Sequence, residues 1–155
     1  MQKNNKNKFY ILIATGFYIG FVPKAPGTAG ALLGIVLGVI LNLLPFFWAL
    51  LLISIAFILG CYASNVAQEY FNSEDPQKVV IDEVVGMAIA LMFLPMNLKI
   101  ILMQFILFRL FDIFKPFPVK QMEEIFDGGL SIMMDDVMAG ILSNVLFRIG
   151  SIFLT

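Results

Sequence analysis

Three largely apolar runs, 29–68, 84–98 and 137–147, dominate the chain, and small polar islands separate them. No charged residue lies between Lys24 and Glu69, between Glu83 and Lys99, or between Asp136 and Arg148. The islands are Lys3–Lys8, Pro23–Thr28, Glu69–Glu83 and Arg109–Asp136. A membrane-crossing helix needs about 20 apolar residues to cover a hydrocarbon core of about 30 Å. The first run is too long for one such helix, and Pro45, following Asn42, divides it. A helical hairpin over 30–44 and 47–68 is predicted. The second run breaks at Leu94-Pro95-Met96-Asn97 and predicts another hairpin, over 84–94 and 98–111. Its arms are short for a bilayer, which leaves a re-entrant segment open. A last helix is expected over 136–154. The pattern therefore reads as all-α: a multi-helix, membrane-embedded bundle with helical hairpins. A soluble protein with an unusually buried helical core is the blander alternative.

The N-terminus divides into a basic polar tail, 1–8, and the rest of the chain, 9–155, as one domain. Lys3, Lys6 and Lys8 ahead of the apolar stretch Phe9–Val22 have the outline of a signal peptide. Gly16 and Gly20 interrupt that stretch, and no clear small-residue cleavage site precedes the Pro-rich loop, so a short interfacial or core helix is expected. The lysines favour a cytoplasmic N-terminus. If the polar islands build one site, each apolar run between them crosses the membrane an even number of times. The two hairpins satisfy this, provided that Phe9–Val22 does not span. A polar site at helix ends on one side of the membrane follows, with Lys99 snorkelling near the far turn.

Composition narrows the chemistry. The 155 residues are 60% hydrophobic and 14% charged, against about 45–50% and about 25% in an ordinary soluble domain. A disordered chain, a broad basic nucleic-acid binder and a surface-charged soluble enzyme are excluded. With a net charge of -1, bulk electrostatics selects no partner. One cysteine, Cys61, rules out an intrachain disulfide and a Cys-based metal cluster, and its small side chain suits the core. The absence of histidine removes Ser-His-Asp triads, His-ligated zinc and His bases. What is left is carboxylates, Lys and Arg, hydroxyls, backbone N–H groups and hard metal ions.

Four stretches hold those groups. In Pro23-Lys24-Ala25-Pro26-Gly27-Thr28-Ala29-Gly30, two prolines and two glycines oppose regular structure. Thr28 is expected to cap a helix starting near Gly30. A helix N-terminus with a hydroxyl and a nearby Lys suits a phosphate, although an ordinary capped turn would look the same. In Ile81-Asp82-Glu83-Val84-Val85-Gly86, two adjacent acids stand at the mouth of an apolar helix. They are either a solvated pair favoured by the helix dipole or a metal-binding pair. Asp82 and Gly86 share a face, which would let a ligand approach the backbone there. Arg109, Asp112 and Lys115 recur at i, i+3, i+6 among aromatics, as a salt-bridge ladder or as a site for metal and phosphate together. The helix should end near Lys115, ahead of Pro116. Last, a Gly128-Gly129 loop precedes Asp135 and Asp136, and Gly140 repeats the spacing of Asp82 and Gly86. Carboxylates without His or Cys select Mg²⁺, Mn²⁺ or Ca²⁺. Glu69, Glu74 and Asp75 read as loop residues, with Glu69 the better functional candidate. Glu123 and Glu124 read as an exposed face, and the Met and Phe residues as packing.

In this order, the four islands resemble the phosphatidylglycerophosphatase A family, over roughly residues 10–150. The matching stretches are 23–30, 81–86, 108–118 and 128–140. The resemblance implies a membrane-bound, Mg²⁺-dependent phosphatase that removes the terminal phosphate of phosphatidylglycerophosphate in phospholipid biosynthesis. It implies one membrane-embedded phosphatase domain over 9–155, a bacterial cytoplasmic (inner) membrane location and a site facing the cytoplasm. The partners implied are the phospholipid substrate and the bilayer, with no nucleic acid. On this reading Asp82, Glu83, Asp135 and Asp136 hold Mg²⁺, and Asp82, Asp112 and Asp136 are catalytic. Lys24, Thr28, Arg109 and Lys115 then contact phosphate. Asp127 stands where the family often has His and is left outside the set. A small transporter or ion pathway built on the carboxylate cluster is the alternative; it predicts acids facing one another inside the spans.

Overall fold

The computed structural model describes residues 2–152, with side chains from residue 7 onward except that of Glu123. The side chains of Lys3, Lys6 and Glu123 and the expected helix end at 153–154 lie outside what it describes. The described chain is helical throughout: α1 (Gln2–Ala14), α2 (Pro26–Leu43), α3 (Phe46–Phe71), α4 (Ile81–Leu91), α5 (Leu98–Phe114), α6 (Val119–Ile125) and α7 (Gly128–Ile152), with a 3-10 turn at Ile19–Phe21.

Three helices, α2, α3 and α7, are long and apolar enough to cross a membrane. At 11 residues, α4 rises only about 16 Å, roughly half a hydrocarbon core. The stretch Phe9–Val22 does not form one helix. It breaks after Ala14, where Gly16, Phe17 and Tyr18 take positive φ values.

Proline and asparagine set the breaks as expected. Pro45 separates α2 from α3, and Asn97 caps α5 by accepting the Ile100 N–H at 2.9 Å. Asn42 does something else. Its amide reaches the Gly38 carbonyl at 2.8 Å and the Leu91 carbonyl at 3.0 Å, tying α2 to the end of α4.

Two helix starts differ from expectation. Helix α2 begins at Pro26, not near Gly30, because proline is already set for the first helical position. Thr28 therefore lies inside the first turn and caps nothing. Helix α7 begins at Gly128, eight residues ahead of the expected start, so Gly128-Gly129 is no loop. The Gly129 N–H donates to Asn65 Oδ1 at 2.7 Å, and a Cβ on Gly129 would lie 2.2 Å from the Cys61 carbonyl oxygen. Glycine lets this helix start press against the backbone of α3.

Helix α4 forms the centre. Seven of its residues are buried, and it packs most extensively against α2 and α7. Gly30, Gly34 and Gly38 form a stripe on α2 against which α4 lies; a Cβ on Gly34 would meet Met87 Cβ and the Val84 oxygen at 2.7 Å. In a bilayer, where apolar surface alone does not drive helices together, such close backbone approach supplies the packing. The C-terminal carbonyls of α4 are covered by α7. Asn144 donates to the carbonyls of Ile89, Ala90 and Met92 at 2.9–3.2 Å, and Arg148 to those of Met92 and Phe93 at 3.2 and 2.9 Å. Those groups would otherwise be orphaned in an apolar setting.

Candidate active site

Val80 precedes α4, held by its N–H to the Ala14 carbonyl at 2.8 Å, and delivers Asp82 and Glu83 to the first turn of the helix. Asp136 lies in the third turn of α7, inside a helix long enough to span and not at its mouth. It reaches Asp82 because α4 and α7 touch at glycine. A Cβ on Gly86 would lie 2.6 Å from the Asp136 carbonyl oxygen, and one on Gly140 would lie 2.2 Å from that of Gly86. Each acid stands four residues before its glycine, so two helices running the same way bring both acids to one place. What approaches the backbone at Gly86 is thus the other helix, not a ligand.

Carboxylate oxygens of Asp82, Glu83 and Asp136 lie within 4.8 Å of one another. Asp82 Oδ1, Glu83 Oε2 and Asp136 Oδ2 are buried and have no hydrogen-bond partner among the described residues. Burial, reinforced by the neighbouring acids, pushes the Asp82 carboxyl well above the usual range; burial also raises that of Glu83. Three acids with unpartnered oxygens at this separation fit one hard divalent cation, which would supply the missing charge and bonds.

Basic groups stand on the next wall. Arg109 forms an ion pair with Asp112 one turn on, and Lys115 Nζ donates to Asp135 Oδ2 at 2.8 Å. Asp135 Oδ1 also accepts the Asp136 N–H at 2.9 Å. The Arg109–Asp112–Lys115 series is therefore no simple ladder: its last member crosses from the end of α5 to α7. Lys115 itself takes a left-handed conformation that ends α5. Asp135 is turned to this basic wall, beside the three clustered acids. Opposite lies the start of α2. A Cβ on Gly27 would stand 2.2 Å from Glu83 Oε1 and 3.2 Å from Arg109 Nη1, so only glycine leaves room there. The first N–H groups of a helix have no partner within it, and the first turn of α2, Pro26, Gly27 and Thr28, lines the same cavity as these acids and bases.

All these groups line one cavity of about 1200 Å³: Lys24, Thr28, Asp82, Glu83, Arg109, Asp112, Lys115, Asp135 and Asp136. Every candidate site residue from the sequence is brought to it. Asp127 lines it too, as do Glu69, Glu74 and Asp75. Gln68, Asn72, Ser73, Gln77 and Ser131 also line it, and sequence reasoning passed over them. A signal was available for some. Asn65, Gln68, Glu69 and Asn72 follow i, i+3, i+4, i+7 at the end of an otherwise apolar helix, which is one polar face.

The family model described as "PgpA: Phosphatidylglycerophosphatase A" matches residues 12–151. A Bacteroides thetaiotaomicron protein named "Putative phosphatidylinositol-3-phosphatase" is 44% identical over 90% of this chain and 92% of its own length. Two proteins named "Phosphatidylglycerophosphatase A" also match. The one from Haemophilus influenzae is 42% identical over 84% of this chain and 81% of its own length, and that from Escherichia coli is 34% identical over 90% and 82%. No solved structure matches significantly.

Proposed function

The chain belongs to the phosphatidylglycerophosphatase A family, and we propose that it hydrolyses the terminal phosphate monoester of phosphatidylglycerophosphate, giving phosphatidylglycerol and inorganic phosphate. The observation that carries this reading is the group of three carboxylates with unpartnered oxygens beside two bases, in a cavity of a membrane protein. The reaction belongs to phospholipid synthesis, and the site is read as facing the cytoplasm from the inner membrane.

Asp82, Glu83 and Asp136 hold the cation, read as Mg²⁺, with Asp135 beside them. When bound, it supplies positive charge against the phosphoryl oxygens, where charge gathers in the transition state. Arg109, Lys115 and Lys24 orient the phosphate, and the Thr28 hydroxyl and first-turn N–H groups of α2 donate to its oxygens. Asp112, paired with Arg109 in the cavity wall, takes a proton from the attacking water. The water oxygen bonds to phosphorus, the P–O bond to glycerol breaks, and the glycerol oxygen takes up a proton. Direct attack by Asp82 or Asp112, through an aspartyl-phosphate, is the other route open to the same residues.

The name of the 44% identical relative gives a second substrate reading, an inositol lipid carrying a phosphate monoester. An ion pathway draws on the place of Asp136 inside α7, but membership of a phosphatase family weighs against it.

Purified protein in detergent, given phosphatidylglycerophosphate with Mg²⁺ and then with EDTA, tests the proposal. Phosphate release with Mg²⁺ and none with EDTA is expected. No release by folded, metal-supplied protein would overturn it, and release from phosphatidylinositol-3-phosphate alone would move the assignment to the second substrate.

A further inference from the structure

The cavity has an uneven lining. Asn72, Ser73 and Gln77 are exposed and polar. The bulky apolar side chains that line it are Val79, Ile113, Phe126 and Ile132. Val79 and Ile132 are buried and Phe126 is partly buried, but Ile113 is 63% exposed. Ile113 thus belongs both to the cavity wall and to the outer surface of the bundle. It also ends a stripe of exposed apolar residues on α5, Leu102, Ile106 and Leu110, at the i, i+4, i+8, i+11 spacing of one helical face. Beyond it Phe114 and Phe117 are 74% and 80% exposed. The bases Arg109 and Lys115 stand on the same turns of α5 and at its end, facing the cavity.

A lipid with a phosphate monoester has to place a charged end among these bases while its acyl chains stay in an apolar medium. Only a sideways opening meets both demands without drawing the chains through water. We propose that the last turn of α5, centred on Ile113, is a lateral portal: the headgroup enters the cavity past it, and the diacylglycerol end of the substrate rests on Ile113, Phe114 and Phe117 in the bilayer. This inference rests on the lipid-phosphatase reading and adds where the lipid comes in.

The test compares dioleoyl with dihexanoyl phosphatidylglycerophosphate in mixed micelles. Ile113→Asn is expected to raise KM for the dioleoyl lipid about tenfold, with kcat changed less than about twofold, the effect of losing one apolar contact in a binding surface. For the dihexanoyl lipid KM should move far less, and Ile113→Ala should shift the same ratio in the same direction but by less. Val145→Asn, on the exposed face of α7, controls for a polar group placed in the bilayer and should leave the ratio alone. An unchanged ratio in both Ile113 variants, or an equal change in Val145→Asn, overturns the portal. A second readout needs no turnover. In EDTA, wild-type protein is photolysed with phosphatidylglycerophosphate carrying a diazirine on an acyl chain near the ester. Labelling should concentrate on residues 110–117 and fall with excess unlabelled lipid; labelling spread evenly over α2, α3 and α7 overturns the proposal. If wild-type protein releases no phosphate from either lipid, the functional reading fails by itself, and the labelling pattern alone decides the portal.

Discussion

Gly140 lies so close to Gly86 that a Cβ on it would stand 2.2 Å from the Gly86 carbonyl oxygen. This contact sets the separation of α4 and α7, and hence that of Asp82 from Asp136, each one turn away. Gly140→Ala should push the helices apart at a cost of about 1–3 kcal/mol. Its thermal unfolding temperature, Mg²⁺ affinity and phosphate release are all expected to fall. Gly150→Ala, with nothing within 4 Å of its Cβ, should change none of them.

Asp82→Asn and Asp136→Asn each remove one acid from a group whose oxygens lack partners. Phosphate release should drop by about a hundredfold or more, on the scale of losing a group that acts at the transition state. Stability should move the other way in EDTA: with less repulsion among buried acids, each variant should unfold no earlier than wild type. The rise in unfolding temperature that Mg²⁺ gives wild type should shrink in both. Normal turnover in either variant would remove that residue from the site.

Lys115→Ala takes a basic partner from Asp135, which is 8% exposed. Lys115 is itself partly exposed, so a modest loss of about 1–2 kcal/mol is expected. Adding Asp135→Asn should recover part of that stability. It should not restore phosphate binding, because the positive charge is still gone. Thermal unfolding and substrate KM, measured on the two single variants and the double variant, separate these effects. Full recovery of KM in the double variant would make Lys115 a structural residue only.

Asn144→Leu leaves the carbonyls of Ile89, Ala90 and Met92 without that donor in an apolar setting. A loss of about 1–3 kcal/mol is expected, read as earlier thermal unfolding in detergent. Phosphate release per folded molecule should stay near wild type, because these contacts lie at the far end of α4 from Asp82. A large loss of release with unchanged unfolding would contradict this.

The helix breaks at Pro45 and at 94–97 could be read from the sequence because proline and a neighbouring polar residue act locally. So could the apolar runs, the end of α5 ahead of Pro116, and most of the charged residues that line the cavity, although its polar wall of Gln68, Asn72, Ser73, Gln77 and Ser131 was passed over. The starts of α2 and α7 were less legible. Gly128-Gly129 looks like a loop to any local reading, and only the backbone of α3 beside it makes it a helix start. For the same reason Asp136 looked like a residue at a helix mouth. Asn42 reads as part of the Pro45 turn and nothing local singles out Asn144, yet both end as donors to the carbonyls of a short central helix.

Residue chemistry along the chain was enough to settle that the protein is helical and apolar, that it has no histidine chemistry, and that its acids and bases fall in four islands. Spacing of four residues also put each acid on the face of a glycine. Which acids meet was settled by packing: Asp82, Glu83 and Asp136 form one group while Asp135 turns to Lys115 and Asp112 to Arg109. The physical reason is that helix periodicity is a local property, whereas the pairing of helices depends on which small residues let two backbones touch. The glycines of α2, α4 and α7 carry that information only in pairs, and the pairs exist only once the bundle is folded.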